Sequence, residues 1–358
     1  MHYAPFKIGN CLVFSHCSSV YARSDKLLTV RNLILEQPSQ FAWHDTPEPA
    51  DPTAGQALVR VLSIGICGTD LHAYRGRQPF FSYPRILGHE LAVEVLALGE
   101  GASGVKVGDR CAVNPYLNCG HCQACRRGKT NCCESLKVLG VHVDGGMRER
   151  FVLPASHLYP NARLSTAQLA LVETLGIGSH AVLRGQPQSG ERVLVIGAGP
   201  IGLSVIEFLK VAGAEIELVD LSAKRRAFAA KHYPLRACYE KAEDIEPTTL
   251  VFDCTGNPQS MQGAFRFVAH GGKLVYVGLF VGDVTFHDPD FHRKEITLLA
   301  TRNSTPAEHR RIIELMDAGQ IDTDPWVSDR VPVDQMIDRF PHWLDPEAGV
   351  VKAVVDWA

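Results

Sequence analysis

Four cysteines, Cys119, Cys122, Cys125 and Cys133, stand in one short loop with the spacing C-x2-C-x2-C-x7-C. Gly120, Gly128 and several charges lie between them, so the segment is a poor candidate for packed core. A loop this compact can bring four thiolates to the corners of a tetrahedron around one Zn²⁺ ion. Buried free cysteines would fall singly on an apolar stripe. Disulfides need paired partners and an oxidising compartment. A closed four-sulfur site leaves no open position, so it staples structure and any catalysis lies elsewhere.

A second set of metal-binding types lies upstream. Cys67 sits in Gly65-Ile66-Cys67-Gly68-Thr69-Asp70-Leu71-His72, and His89 in Gly88-His89-Glu90. Thiolate and imidazole are both good zinc ligands. Taken alone, each residue also suits a buried core position. A glycine beside a β run at each place, polar neighbours at close range and the zinc loop elsewhere favour ligation.

The third constellation is a glycine loop. Val193-Leu194-Val195-Ile196 runs straight into Gly197-Ala198-Gly199-Pro200-Ile201-Gly202, and Asp220 ends the next strand 18 positions after Gly202. An apolar strand before the loop and a helix after it make this a dinucleotide fingerprint. Gly197 permits the tight turn, Gly199 lets the backbone approach a pyrophosphate, and Gly202 lets helix and strand pack closely. Pro200 and Ile201 open the helix whose free N–H groups meet the phosphate. A carboxylate at Asp220 accepts hydrogen bonds from ribose hydroxyls and repels a 2′-phosphate, which argues for NAD over NADP. Lys224, Arg225 and Arg226 follow. They suit a phosphate or a solvated first turn, with Arg225 lying over the adenine.

These groups need elements to hold them. From Leu28 to Val152 short β-type runs recur: Thr29 to Leu35, Ala57 to Ile64, Leu91 to Leu98, Arg110 to Asn114 and Met147 to Leu153. Gly, Pro and Asp punctuate them, as in a twisted, largely antiparallel β domain. From about residue 177 strands alternate with helices. Strands are expected at 192–197, 215–220, 250–253, 273–278 and 296–300, and helices at 201–212, 223–231, 261–269 and 306–318. That rhythm predicts an α/β fold with a doubly wound parallel sheet. The tail, 326–357, returns to mixed short strands. The expected division is an extension at 1–26, a catalytic zinc domain over 27–178 and 306–358, and a nucleotide domain over 179–305.

The chain has 358 residues, enough for two domains, with 46% hydrophobic and 21% charged residues. A net charge of −3 gives no basic surplus for nucleic acid or an anionic membrane. No apolar run reaches the length of a membrane span. Eleven cysteines, most of them scattered, suit a reducing cytoplasm. The apolar patch Cys11-Leu12-Val13-Phe14 is too short for a secretory signal.

The Gly-His-Glu signature, the four-cysteine loop and the nucleotide fingerprint occur in the order found in the zinc-dependent medium-chain dehydrogenases, and residues 28–358 resemble that family. The resemblance implies a Rossmann sheet plus a GroES-like β domain. It also implies a structural zinc, a catalytic zinc, NAD, a small-molecule substrate and a homodimer or homotetramer. Glu173, in Leu171-Val172-Glu173-Thr174-Leu175, stands where ethanol-type members carry cysteine and polyol-type members carry glutamate. The runs Gln78 to Pro84, Gly140 to Gly146, Val277 to Phe280, Asp288 to His292 and Thr301 to Pro306 resemble the sugar-acid branch.

The chemistry implied is transfer of a hydride from a secondary alcohol to a nicotinamide, with zinc lowering the pKa of the alcohol. Cys67 and His89 are the expected ligands, and Glu90 and Glu173 compete for the third place. Thr69 and His72 match the family's proton-relay positions, although Thr69 also suits a turn and His72 the surface. A sugar acid resembling L-galactonate brings a carboxylate that wants an arginine. Arg302 with Asn303, and Arg75 and Arg77, are the candidates, and Phe80 and Phe81 suit a pocket wall or core. Polyol and L-threonine dehydrogenases are the alternatives within this chemistry. A zinc-stapled nucleotide sensor without turnover is the alternative outside it.

Overall fold

Strand Gln56–Ile66 alternates inward Ala57, Val59 and Val61 with outward Arg60, the period of a half-buried strand. It is the hub of a seven-stranded sheet. The computed structural model describes residues 29–77 and 81–357, so the extension 1–26 and Phe80 lie outside the described residues. The hub strand pairs antiparallel with Glu90–Leu98, Arg150–Pro154 and Lys352–Asp356. Arg110–Val113 and Leu158–Pro160 extend one side. Val327–Pro332 closes the other by pairing parallel to Lys352–Asp356.

The second sheet has six strands, all parallel. In spatial order they are Leu235–Tyr239, Glu215–Val219, Arg192–Ile196, Thr248–Asp253, Val268–Tyr276 and Thr297–Ala300. Val193, Leu194, Val195, Leu250, Val251 and Phe252 are all buried, as expected where helices cover both faces. Strand order reverses between Arg192–Ile196 and Thr248–Asp253. The crevice at the carboxyl ends of these two strands is where such sheets bind ligands.

A helix the sequence reading did not assign, Val172–Gly185, joins the two sheets. It packs so closely that glycine is required twice. A Cβ on Gly178 would lie 2.2 Å from Ser204 Oγ, and one on Gly176 2.5 Å from Ser304 Oγ. Three further expectations are corrected. The helix expected at 261–269 is Pro258–Gly263 followed by a 3-10 turn, because Val268 already pairs with Thr248 in the sheet. The strand expected from Met147 begins at Arg150. Met147 instead bonds through its N–H to Leu87 O (2.9 Å) and through its C=O to Leu33 N (2.8 Å). The tail also contains a helix, Met336–Trp343, whose Phe340 packs on Tyr74 and Phe41 with centroids 4.7 and 5.0 Å away.

The cysteine loop forms a separate lobe. Tyr116, Leu136, Val138 and Val141 make its small core with Cys125 and Cys133. Backbone N–H groups are aimed at the sulfurs: Cys119 N at Cys133 Sγ (3.3 Å), Cys122 N at Cys119 Sγ (3.4 Å) and Cys125 N at Cys122 Sγ (3.4 Å). Such donors favour thiolate. Hydrogen bonds from the His121 and Cys122 backbone bring the Cys119 pKa down to about 6. Backbone donors likewise lower the pKa of Cys122, while burial pushes that of Cys125 up to about 11, so two of the sulfurs favour thiolate before any metal binds and metal affinity becomes folding free energy. Cys122→Ser should lower zinc content by about one ion per chain and the melting temperature by about 5 °C or more. Unchanged metal content and melting would contradict the four-sulfur assignment.

Candidate metal and nucleotide sites

The hub strand and its neighbour set the first site. Gly65 pairs with Glu90, so the segment after Ile66 and the segment before Glu90 meet at one end of the sheet. Cys67 caps the helix Gly68–Tyr74, and His89 precedes strand Glu90–Leu98. The Cys67, His89 and Glu90 ligand atoms all lie within 4.8 Å of one another. Gly65 makes this possible, since a Cβ there would stand 2.1 Å from Glu90 Oε2. The loop at 140–146 is pinned beneath, with Gly146 N donating to Gly88 O (2.9 Å) and no room for a Cβ on Gly140 or Gly145.

Three residues that sequence reasoning missed complete the surroundings. Asp70 is buried; its Oδ2 accepts from Cys67 N (2.9 Å) and its Oδ1 lies 3.7 Å from His89 Nδ1. At that separation the two interact by charge rather than by a hydrogen bond, with the carboxylate on the Nδ1 side of the ring. Lys352 Nζ lies 2.5 Å from Glu90 Oε1, with both side chains almost fully buried. Tyr116 donates its hydroxyl to Glu173 Oε1. Only Asp70, within the Cys67 run, offered a local signal. Lys352 and Tyr116 are far from their partners in sequence.

Glu173 opens the joining helix and is buried, but it stands outside the Cys67–His89–Glu90 group. Burial raises its pKa, an effect His89 opposes. Burial likewise raises that of Asp70 against the pull of His89. Burial opposes charge on His89, yet Asp70 and Cys67 hold its pKa well above the usual imidazole range. One thiol and three carboxyls therefore face one lysine and one imidazole. Glu90 Oε2, His89 Nδ1 and Asp70 Oδ1 have no hydrogen-bond partner. A divalent cation bound by Cys67, His89 and Glu90 fits this excess of buried donors.

Thr69 and His72 lie on one face of helix Gly68–Tyr74, three positions apart. Thr69 is half-buried and His72 exposed. Partial desolvation, then Arg75 and Arg77, lower the His72 pKa. Arg75 donates to Leu344 O (2.5 Å), and Phe81 packs edge-on against Tyr83 at 5.0 Å. Arg302 borders a cavity whose lining includes neither Cys67, His89 nor Glu90. Its carbonyl accepts from Asn131 Nδ2 (2.8 Å). Asn303 has a left-handed backbone, φ 53°. Partial burial, then Arg302 and Arg85, lower the pKa of His142 in the pinned loop.

The glycine loop lies at the strand-order reversal. Gly197 has φ 98°, and a Cβ on Gly202 would lie 1.8 Å from Gly197 O. Helix Pro200–Ala212 begins beyond it with Gly199 as its cap. Asp220 stands just past strand Glu215–Val219 and accepts from Ala198 N and Ser222 N, both at 2.7 Å. It therefore braces the loop as well as facing the crevice. A Cβ on Gly199 would be 3.8 Å from Arg225 Nη1, so that guanidinium overhangs the loop.

Comparison with known proteins follows this division. Residues 53–163 match the alcohol dehydrogenase GroES-like domain family, and residues 200–318 match the zinc-binding dehydrogenase family. An L-galactonate-5-dehydrogenase of Escherichia coli K12 is 38% identical over 339 residues, covering 91% of this chain and 99% of the relative. A dehydrogenase of E. coli CFT073 solved with NADH is 27% identical, with TM-score 0.85 over 92% of this chain and 99% of that one. A zinc-binding dehydrogenase of Sinorhizobium meliloti bound to NADP is also 27% identical, with TM-score 0.85 over 92% of this chain and all of that one. Two family matches and a relative aligned along nearly its whole length make this chain a member of the NAD(P)-dependent zinc alcohol dehydrogenases.

Proposed function

We propose that this enzyme oxidises a secondary alcohol of a sugar acid resembling L-galactonate, with NAD as hydride acceptor. The observation that carries the reading is the group of half-buried Cys67 with buried His89 and Glu90, beside Asp70. The substrate class rests on the 38% identical L-galactonate-5-dehydrogenase. The choice of NAD rests on Asp220.

A zinc ion held by Cys67, His89 and Glu90 supplies Lewis acidity that lowers the pKa of an alcohol. Asp70 fixes the Cys67 backbone through its N–H, and its charge favours protonated His89 from 3.7 Å away. Lys352 holds one oxygen of Glu90 and leaves the other free. Glu173 is oriented by the Tyr116 hydroxyl, which donates to its Oε1. Thr69 would relay the substrate's hydroxyl proton, giving up its own hydroxyl proton as it accepts, and His72 would carry that proton to solvent, its depressed pKa keeping the imidazole neutral and able to accept. Asp220 and the glycine loop orient the nucleotide.

His89→Ala should lower kcat by roughly a thousandfold, since several kcal/mol of transition-state stabilisation depend on the ligand. NADH binding, followed by the fluorescence of the reduced nucleotide, should change little. A near-normal kcat contradicts the assignment. Asp220→Asn keeps an acceptor for the loop but removes the charge that repels a 2′-phosphate. The ratio of kcat/KM for NADP to that for NAD should rise about tenfold or more, and a wild-type preference for NADP refutes the reading. Lys352→Met leaves Glu90 buried without its lysine, a loss of about 3–5 kcal/mol when a buried pair is broken. Because bound metal compensates Glu90, chelator should depress the melting temperature more in this variant than in wild type. Equal sensitivity contradicts the pairing. Among aldonates, polyols and L-threonine at equal concentration, an aldonate should give the fastest NAD reduction. Inertness towards every aldonate discards the sugar-acid reading.

A further inference from the structure

Away from the metal group, a cavity of about 450 Å³ lies between the cysteine lobe and the far end of helix Val172–Gly185. Its volume is in the range of small-molecule sites. Arg127 and Lys129 reach it from the lobe, Arg184 from the helix, and Arg302 from the loop after strand Thr297–Ala300. Among the described residues none of these four cations forms an ion pair, and Glu134 is the one carboxylate in the lining. The wall behind them is polar and built. His180 Nδ1 bonds to Glu308 Oε1 (3.0 Å), its Nε2 meets Asn131 Nδ2 (3.1 Å), and that amide also donates to Arg302 O. Asn131, His180 and Glu308 are all buried. His180 lies seven residues beyond Glu173 on the helix and Arg184 eleven beyond. At 1.5 Å per residue those positions are about 10 and 16 Å along the axis from Glu173.

We propose that this cavity binds a small dianion, of phosphate or dicarboxylate chemistry, separately from the metal centre. Two cations on each side of one junction repel across it. A dianion removes that repulsion and is the ligand that three guanidinium forks and an ammonium recognise. Bound there, it ties the cysteine lobe to the loop that follows the last strand of the nucleotide sheet. The buried His180–Glu308 pair holds the wall in place.

The test uses zinc-loaded, NAD-saturated enzyme, so that the glycine loop is already filled. Inorganic phosphate and succinate are titrated separately by calorimetry at fixed ionic strength. Neither carries an oxidisable alcohol, so neither is a substrate. At least one should saturate at about one per chain, and the tighter of the two identifies the ligand as phosphate-type or dicarboxylate. The double variant Arg127→Gln/Arg184→Gln should raise its Kd by about tenfold or more, as expected for lost charged hydrogen bonds. Its kcat/KM for the alcohol should not change. Arg184→Lys, which keeps the charge, should lose less. Should the double variant melt below wild type, Lys129→Ala in the same titration replaces it. Saturation by neither anion, or binding by the variant as tight as by wild type, overturns the proposal.

Discussion

The carboxylate of Asp70 reaches two candidate zinc ligands at once. One oxygen accepts the N–H of Cys67, and the other stands 3.7 Å from the ring of His89. The cap of a seven-residue helix is thereby bonded to one short polar side chain whose charge also faces the residue before a long strand. The rest of the β domain can be read as the frame that keeps this arrangement in register. Pairing of Gly65 with Glu90 aligns the two segments, and the missing Cβ of Gly65 leaves space for the glutamate. A one-residue slip between these strands would turn Glu90 to the other face.

Charge is the second constraint. Buried Asp70, Glu90 and Glu173, with the half-buried thiol of Cys67, bring more acidity than Lys352 and His89 can offset. Buried carboxylates are costly unless paired. Lys352 comes from the C-terminal strand, 262 positions from Glu90. Pairing of Lys352–Asp356 with the hub strand delivers it to the site. The candidate metal group therefore depends on the chain's last strand as much as on the two motifs near its start.

The features legible in the sequence are those with local causes. The cysteine spacing, the glycine loop and the alternating strands each declare themselves within a few residues, and the structure brings Cys67, His89 and Glu90 together. The joining helix was hidden. It starts directly after Leu171 without a side-chain cap and contains Gly176, Gly178 and Gly185, which read as loop. Those glycines are there for close packing, which no local pattern reveals. The C-terminal helix carries Pro341, a residue that argues against helix in a bare pattern. Tyr116 and Lys352 gave no signal because their partners are distant in sequence. Arg302 was chosen for its charge and its loop, and its surroundings on a cavity apart from the metal group could be seen only in three dimensions.

The central claim is that one chain builds two chemically different zinc sites, a closed sulfur site in the lobe and an open mixed site under the hub strand. Zinc K-edge absorption spectroscopy on the purified protein, with metal content measured in parallel, addresses it most directly. The account predicts two zinc ions per chain, one bound by the four sulfurs of Cys119, Cys122, Cys125 and Cys133, the other by one sulfur with nitrogen and oxygen. In Cys67→Ser the zinc-bound sulfur summed over each chain should fall from five to four while the four-sulfur site persists. A single zinc per chain bound only by sulfur, unaffected by loss of Cys67, would contradict the account.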